Sequence, residues 1–281
     1  MNDLIRRSIT GAGIVIFLLA GFLLHPVSFY LTGLILISAA MFEYYRIISS
    51  TGIKPMVYPG IITGLVLYTI STFVASGMLK SEFLLFLIPL STLLIITEIY
   101  RKQERPFDSI AHTVFPLLWI AFPISLFPFT AYNQEGLSSI IVQRGVIFSP
   151  EVVFAFFLLT WSSDTGAYVA GITLGKHRLI ERISPKKSWE GFFGGMILSA
   201  IVAFLVSGMF NQFSRFEWII VSLIISVAGT YGDLAESMLK RSTGIKDSGS
   251  IMPGHGGFLD RFDSTILSFP LVYLFLVLFG G

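Results

Sequence analysis

The residues best suited to chemistry in this 281-residue chain lie in its later part, where acids, bases and glycines interrupt apolar sequence. Residues 229–241 read GTYGDLAESMLKR and set Asp233, Glu236, Ser237 and Lys240 at i, i+3, i+4 and i+7, one face of a helix. An acid within hydrocarbon costs roughly 2.5–3.5 kcal/mol, so such a stripe implies a partner, an ion or a wet cavity. For Glu236 a plainer reading competes, an i, i+4 ion pair with Lys240 at the interface.

Residues 246–263, KDSGSIMPGHGGFLDRFD, follow. Gly249, Gly254, Gly256 and Gly257 offer backbone N–H groups free of side-chain bulk, able to wrap phosphate oxygens, although Pro253–Gly254 would mark any turn. The loop exits into Asp260 and Asp263, three apart and on one face if the last helix begins there. With Asp233 approaching from the preceding helix, they would present the hard oxygens that magnesium takes, the rest of its shell coming from water and substrate phosphate. The competing reading is an N-terminal cap, since a helix dipole stabilises acids at its start. His255 suits a phosphate contact or a proton donor, or equally a solvated loop position. Lys240, Arg241, Lys246 and Arg261 supply positive charge for a triphosphate, or merely satisfy the charge rule for cytoplasmic loops.

A third cluster is SSDTGAYVAG, residues 162–171, where Asp164 interrupts an apolar helix and is by default a functional candidate. The following loop, GKHRLIERISPKKSWEG, carries Ser184, Lys186, Lys187 and Ser188, which suit phosphate or, alternatively, a peripheral patch for anionic headgroups.

The elements that must position these groups are membrane helices. Charged residues make up only 13% of the chain, hydrophobic ones 54%, Phe alone numbers 27 and the mean hydropathy is +0.79. Residues 8–42, 55–79, 109–134, 191–214 and 264–281 hold no Asp, Glu, Lys or Arg. Each can cross about 30 Å of hydrocarbon, and the first, broken at His25 and Pro26, can cross twice. Residues 83–97, 152–175 and 218–240 are shorter or contain an acid. The expected fold is therefore all-α, a polytopic integral membrane protein of about nine transmembrane helices. Arg6 and Arg7 before an apolar run mimic a signal peptide, but the run reads as a retained first helix.

Of the 19 Lys and Arg residues, all but Lys80, Arg144 and Arg215 fall in one set of loops, which sets the amino terminus and the basic loops on the cytoplasmic side and the carboxyl terminus outside. Residues 1–150 form an apolar amino-terminal part of about five helices, and 151–281 a catalytic part with cytoplasmic active-site loops. Residues 131–149 are more polar, an outside loop with a short surface helix. No repeat relates the halves, which weighs against an inverted-repeat transporter. Absence of cysteine excludes disulfide and thiolate chemistry, and a net charge of +2 is uninformative.

Residues 237–263, SMLKRSTGIKDSGSIMPGHGGFLDRFD, resemble the signature of the phosphatidate cytidylyltransferase family, in which Ser, Lys-Arg, Lys-Asp, His-Gly-Gly and Asp-Arg-x-Asp recur at these spacings. Met252 stands where Leu, Ile or Phe is usual, a conservative departure. The resemblance extends to DTGAY from Asp164, SPKKSWEG from Ser184 and GDLAES from Gly232, while the earlier helices agree only in hydropathy. It implies an all-helical inner-membrane enzyme, often homodimeric, that joins CTP to phosphatidate, gives CDP-diacylglycerol and releases diphosphate with a divalent cation. By that resemblance Asp233, Asp260 and Asp263 are the Mg2+ carboxylates, with K+ sharing the site, and Lys240 is catalytic. Asp164, Ser184, Lys186, Lys187, Ser237, Arg241, Lys246, Asp247, His255, Gly256, Gly257 and Arg261 bind substrate. The partners expected are CTP, phosphatidate and membrane lipid, with no nucleic acid. Competing readings are a CTP-dependent kinase of polyprenol or phytol type, which shares parts of this pattern, and an ion-coupled transporter using Asp164 and Asp233. A CDP-alcohol phosphotransferase is discounted because its run of Asp-Gly, Ala-Arg and later spaced Asp is missing.

Overall fold

In a computed structural model the described residues are 3–133, 147–210, 212–245 and 257–280. Helix α1 spans Asp3–Leu23, α2 Pro26–Ser49, α3 Val57–Ala75 and α4 Leu87–Arg101, the last preceded by a 3-10 segment, Ser81–Phe86. One long apolar segment follows as α5 Pro106–Pro116, a wide turn Leu117–Ala121, α6 Phe122–Ser125 and α7 Phe127–Ala131. The later part holds α8 Glu151–Leu174, α9 Trp189–Val206, α10 Arg215–Ser242 and α11 Asp263–Phe279. Seven helical segments among the described residues are long and apolar enough to cross a membrane, and two shorter apolar helices, Gly11–Leu23 and Asp263–Phe279, complete the set.

Local chemistry sets several boundaries. Between α1 and α2, His25 Nδ1 accepts the Val27 N–H at 3.1 Å and Pro26 occupies the first helical position, where its missing N–H costs nothing. Ser214 and Glu217 form a reciprocal cap that starts α10.

Two small antiparallel pairs depart from the all-helical expectation. β1 (Tyr132–Asn133) pairs with β2 (Ile147–Phe148), and the short surface helix expected within residues 131–149 falls on 134–146, outside the described residues. β3 (Arg178–Ile180) pairs with β4 (Ser184–Ser188) in the hairpin between α8 and α9.

Small residues let the later helices approach closely, as membrane packing requires where hydrocarbon gives no drive of its own. A Cβ on Gly166 of α8 would come 2.6 Å from the Gly194 carbonyl oxygen of α9. Hydroxyl bonds reinforce the bundle: Ser163 to Ser226 at 3.0 Å joins α8 to α10, and Ser199 donates to the Leu159 carbonyl at 3.1 Å. An aromatic core ties the early helices to this bundle, with Phe127 4.0 Å from Phe269 and Phe22 5.7 Å from Phe157, ring centre to ring centre. Helix α4 is peripheral, burying only Leu94 and Glu98.

Candidate active site

The polar stripe of α10 faces a cavity of about 730 Å³, which Asp233, Glu236, Ser237 and Lys240 all line. Asp263, the first residue of α11, is buried at 8% exposure, and its carboxyl lies within hydrogen-bonding reach of the Asp233 carboxyl. Gly232 makes this meeting possible, because a Cβ there would stand 2.3 Å from the Asp263 carbonyl oxygen. Ser264 fixes both acids: its hydroxyl donates to Asp233 Oδ1, and its N–H donates to Asp263 Oδ1 at 2.7 Å.

Two lysines bind the acids from the other side. Lys187 Nζ pairs with Asp233 Oδ2 and also donates to the Thr230 carbonyl at 3.3 Å. Lys240 Nζ lies 2.5 Å from both Glu236 Oε2 and Asp260 Oδ1. The i, i+4 pair weighed for Glu236 is thus present, inside the cavity. Glu236 is 1% exposed, and its Oε1 has no hydrogen-bond partner among the described residues. An orphaned buried carboxylate oxygen is costly and marks a place for a ligand or ordered water.

Asp164 of α8 opens onto the same cavity, as do Lys186, Lys187 and Ser188 from β4 and Arg261 from the turn before α11. Ser188 accepts the Gly191 N–H at 3.1 Å and so caps α9, and His177 Nδ1 meets Glu190 at 2.6 Å at the hairpin's base. Ser184, Arg241 and Gly257 do not line the cavity, Ser184 being paired with Ile180 in the hairpin. Lys246, Asp247, His255 and Gly256 lie outside the described residues.

Asp260 and Asp263 do not share a helical face. Asp260 sits in a 3-10 turn, Leu259–Arg261, and Phe262 (φ −122°, ψ 1°) breaks the chain before α11 begins at Asp263. The separation sends Asp260 to Lys240, while its Oδ2 accepts the Gly257 N–H at 3.3 Å. Asp263 is left beside Asp233. Among the described residues no group of three His, Asp or Glu is arranged to hold a metal ion. The Asp233–Asp263 pair, bridged by Ser264, offers two carboxyls, and a cation such as magnesium usually takes one or two carboxylates from protein.

Hydrocarbon shares the lining: Ile14, Val15 and Leu18 of α1 contribute with Phe157, Trp161 and Ile172 of α8. Sequence reasoning left out Ser264 and this contribution of α1, and weighed Glu236 against a plain ion pair. Ser264 directly follows an acid already singled out, and Glu236 lies on the recognised stripe, so both had a signal. The α1 wall is ordinary apolar sequence and had none.

Apolar helices enclosing a cavity lined by carboxylates and lysines together with aliphatic and aromatic side chains define a multi-pass membrane protein whose cavity offers both polar and apolar contacts. The cytidylyltransferase family profile matches residues 5–279, nearly the whole chain. A phosphatidate cytidylyltransferase of Bacillus subtilis is 32% identical over 292 aligned positions covering 100% of both chains. That of Staphylococcus haemolyticus is 36% identical over 241, covering 85% of this chain and 86% of its own, and that of Staphylococcus saprophyticus is 50% identical over 128, covering 45% and 48%. The chain belongs to the cytidylyltransferase family.

Proposed function

We propose that this protein is a phosphatidate cytidylyltransferase that converts CTP and phosphatidate to CDP-diacylglycerol and diphosphate. Family membership and full-length similarity to phosphatidate cytidylyltransferases support the activity. The single structural observation that carries it is the meeting of Asp233 and Asp263 at Ser264, beside Lys187, in a cavity that apolar side chains of α1 and α8 also line.

A phosphate oxygen of phosphatidate attacks the α-phosphorus of CTP, forming a new P–O bond as the bond to the β-phosphate breaks and diphosphate departs with the electron pair. The nucleophile is already anionic, so no side chain needs to become one. The residues must overcome repulsion between two anions and hold them in line. Lys186, Lys187, Lys240 and Arg261 line the cavity and donate to phosphate oxygens. Asp164 and Ser237 are proposed to orient the nucleotide, with Ser184, Arg241, Lys246, Asp247, His255, Gly256 and Gly257 completing the substrate-binding set. Asp233 and Asp263 would hold Mg2+, with Asp260 on the Lys240 side of the same site. When bound, that ion would neutralise charge on the α-phosphate region and the leaving group. The apolar wall of α1 and α8 accommodates the glycerol end of the acyl chains.

We further read the seven long helices and two shorter ones as nine crossings of the inner membrane, with the amino terminus and the site on the cytoplasmic side, because the basic loops fall there. The test uses purified protein in detergent with CTP, Mg2+ and phosphatidate. Diphosphate release that depends on the lipid, together with CDP-diacylglycerol, is expected. CDP and a phosphorylated lipid alcohol would indicate a kinase, and no product from CTP with any lipid would remove the enzyme reading.

A further inference from the structure

Glu43 lies in the last third of α2, far in sequence from the acids of the cavity, and does not line it. It is 0% exposed. None of the ion pairs among the described residues includes it. A buried carboxylate is tolerated where hydrogen bonds compensate it, and among the described residues two backbone N–H groups do so. Glu43 Oε2 accepts the Phe258 N–H at 2.6 Å and Oε1 accepts the Leu259 N–H at 3.3 Å.

These two groups open the 3-10 turn that carries Asp260 and Arg261 into the site. The first N–H groups of any helical turn lack internal partners, and Phe258 offers no side-chain cap. Asp260 takes the Gly257 N–H, and Glu43 takes the next two from across the bundle. The grip has a fixed base. The neighbours of Glu43 brace α2 against α5, with Tyr44 Oη 2.8 Å from His112 Nδ1 and Tyr45 Oη donating to the Thr113 carbonyl at 2.8 Å. On the turn's side Leu259 and Phe262 are buried, and Phe258 stacks on Phe262 at 4.8 Å.

We propose that Glu43 is a positioning residue for cytidylyl transfer. By capping the turn from another helix it sets where Asp260 meets Lys240 and where Asp263 meets Asp233, so that α2 fixes the geometry of a cavity it does not line. This inference rests on the reaction assigned to that site. An acid that merely stabilised the bundle would leave turnover per folded molecule and the demand for Mg2+ unchanged.

The experiment takes full-length Glu43→Ala and Glu43→Gln in detergent, with folded protein quantified by size-exclusion chromatography. In Glu43→Ala, kcat per folded molecule is expected to fall, and the Mg2+ concentration for half-activation to rise, each by about 10–100-fold. The KM for phosphatidate should stay within about twofold, because no lipid contact is removed. Glu43→Gln keeps one acceptor oxygen and the side chain's shape, so it should recover part of the loss and remains informative if the alanine variant does not fold. Independently of activity, hydrogen exchange at Phe258 and Leu259 should accelerate in both variants, with exchange in α8 and α9 unchanged. Wild-type exchange at those amides, or wild-type kcat and Mg2+ dependence per folded molecule, would overturn the proposal. If the wild-type protein made no CDP-diacylglycerol, the assigned reaction would fail and the kinetic role with it, while unchanged or accelerated exchange would still decide whether Glu43 caps the turn.

Discussion

At the scale of single residues, the site holds together charges that oppose one another. Asp233 and Asp263 bring two carboxyls to one place through Ser264, one of them nearly inaccessible to water and the other paired with Lys187. Replacing Asp263 with Asn keeps the shape and removes one of the two carboxyls. The variant should therefore unfold no more easily than wild type while losing about 10²-fold or more in kcat, the usual cost of deleting one group that stabilises transition-state charge. Thermal unfolding in detergent beside a CTP assay checks both halves, and near-normal turnover would exclude Asp263 from the site. Lys240 poses the reverse case, one cation serving Glu236 and Asp260. Lys240→Met strands two partly or wholly buried carboxylates and should cost about 3–5 kcal/mol. Adding Glu236→Gln should return part of that stability without restoring activity, as read from the same melting curves.

Between helices, what counts is how closely backbones approach. Asp233 reaches Asp263 because Gly232 lets α10 lie against the start of α11, and the methyl of Gly232→Ala would press on the Asp263 carbonyl, which cannot swing aside as a side chain can. We expect destabilisation of about 1–3 kcal/mol from overpacking, with loss of activity as the two acids part. Gly229→Ala, whose methyl would meet the Ser264 Cβ at 3.3 Å, should be milder, and comparing the two by thermal unfolding and turnover separates the crossing from a general intolerance of bulk. Much of this was legible in the sequence, because the i, i+3, i+4, i+7 stripe needs only helical periodicity to become a cavity wall. The break between Asp260 and Asp263 was not. Three-residue spacing suits a 3-10 turn as readily as an α-helix, and the turn observed is capped by Glu43, 215 and 216 residues from Phe258 and Leu259, a contact that no local pattern encodes.

Over the whole molecule, long uncharged runs announced the apolar helices because hydrocarbon forbids the alternatives, whereas the packing of α1 onto the cavity is written only in shape. From the uneven spread of Lys and Arg we expect the hairpin with Lys186 and the segment with Lys80 to face opposite sides of the membrane. The chain has no cysteine, so a single introduced thiol is an unambiguous reporter of side. Both positions are exposed, Lys80 just before the 3-10 segment that leads into α4 and Lys186 on β4 at the cavity's rim. In intact cells a membrane-impermeant maleimide should label Lys80→Cys and spare Lys186→Cys, and in inside-out vesicles the pattern should invert. Lys80→Cys should also keep near-wild-type turnover, since nothing at that position approaches the cavity, while Lys186→Cys should raise the KM for CTP by removing a charge that meets phosphate. Labelling of both thiols from one side would mean an even number of crossings between them rather than the odd number proposed, and would place the site away from the compartment that supplies its nucleotide.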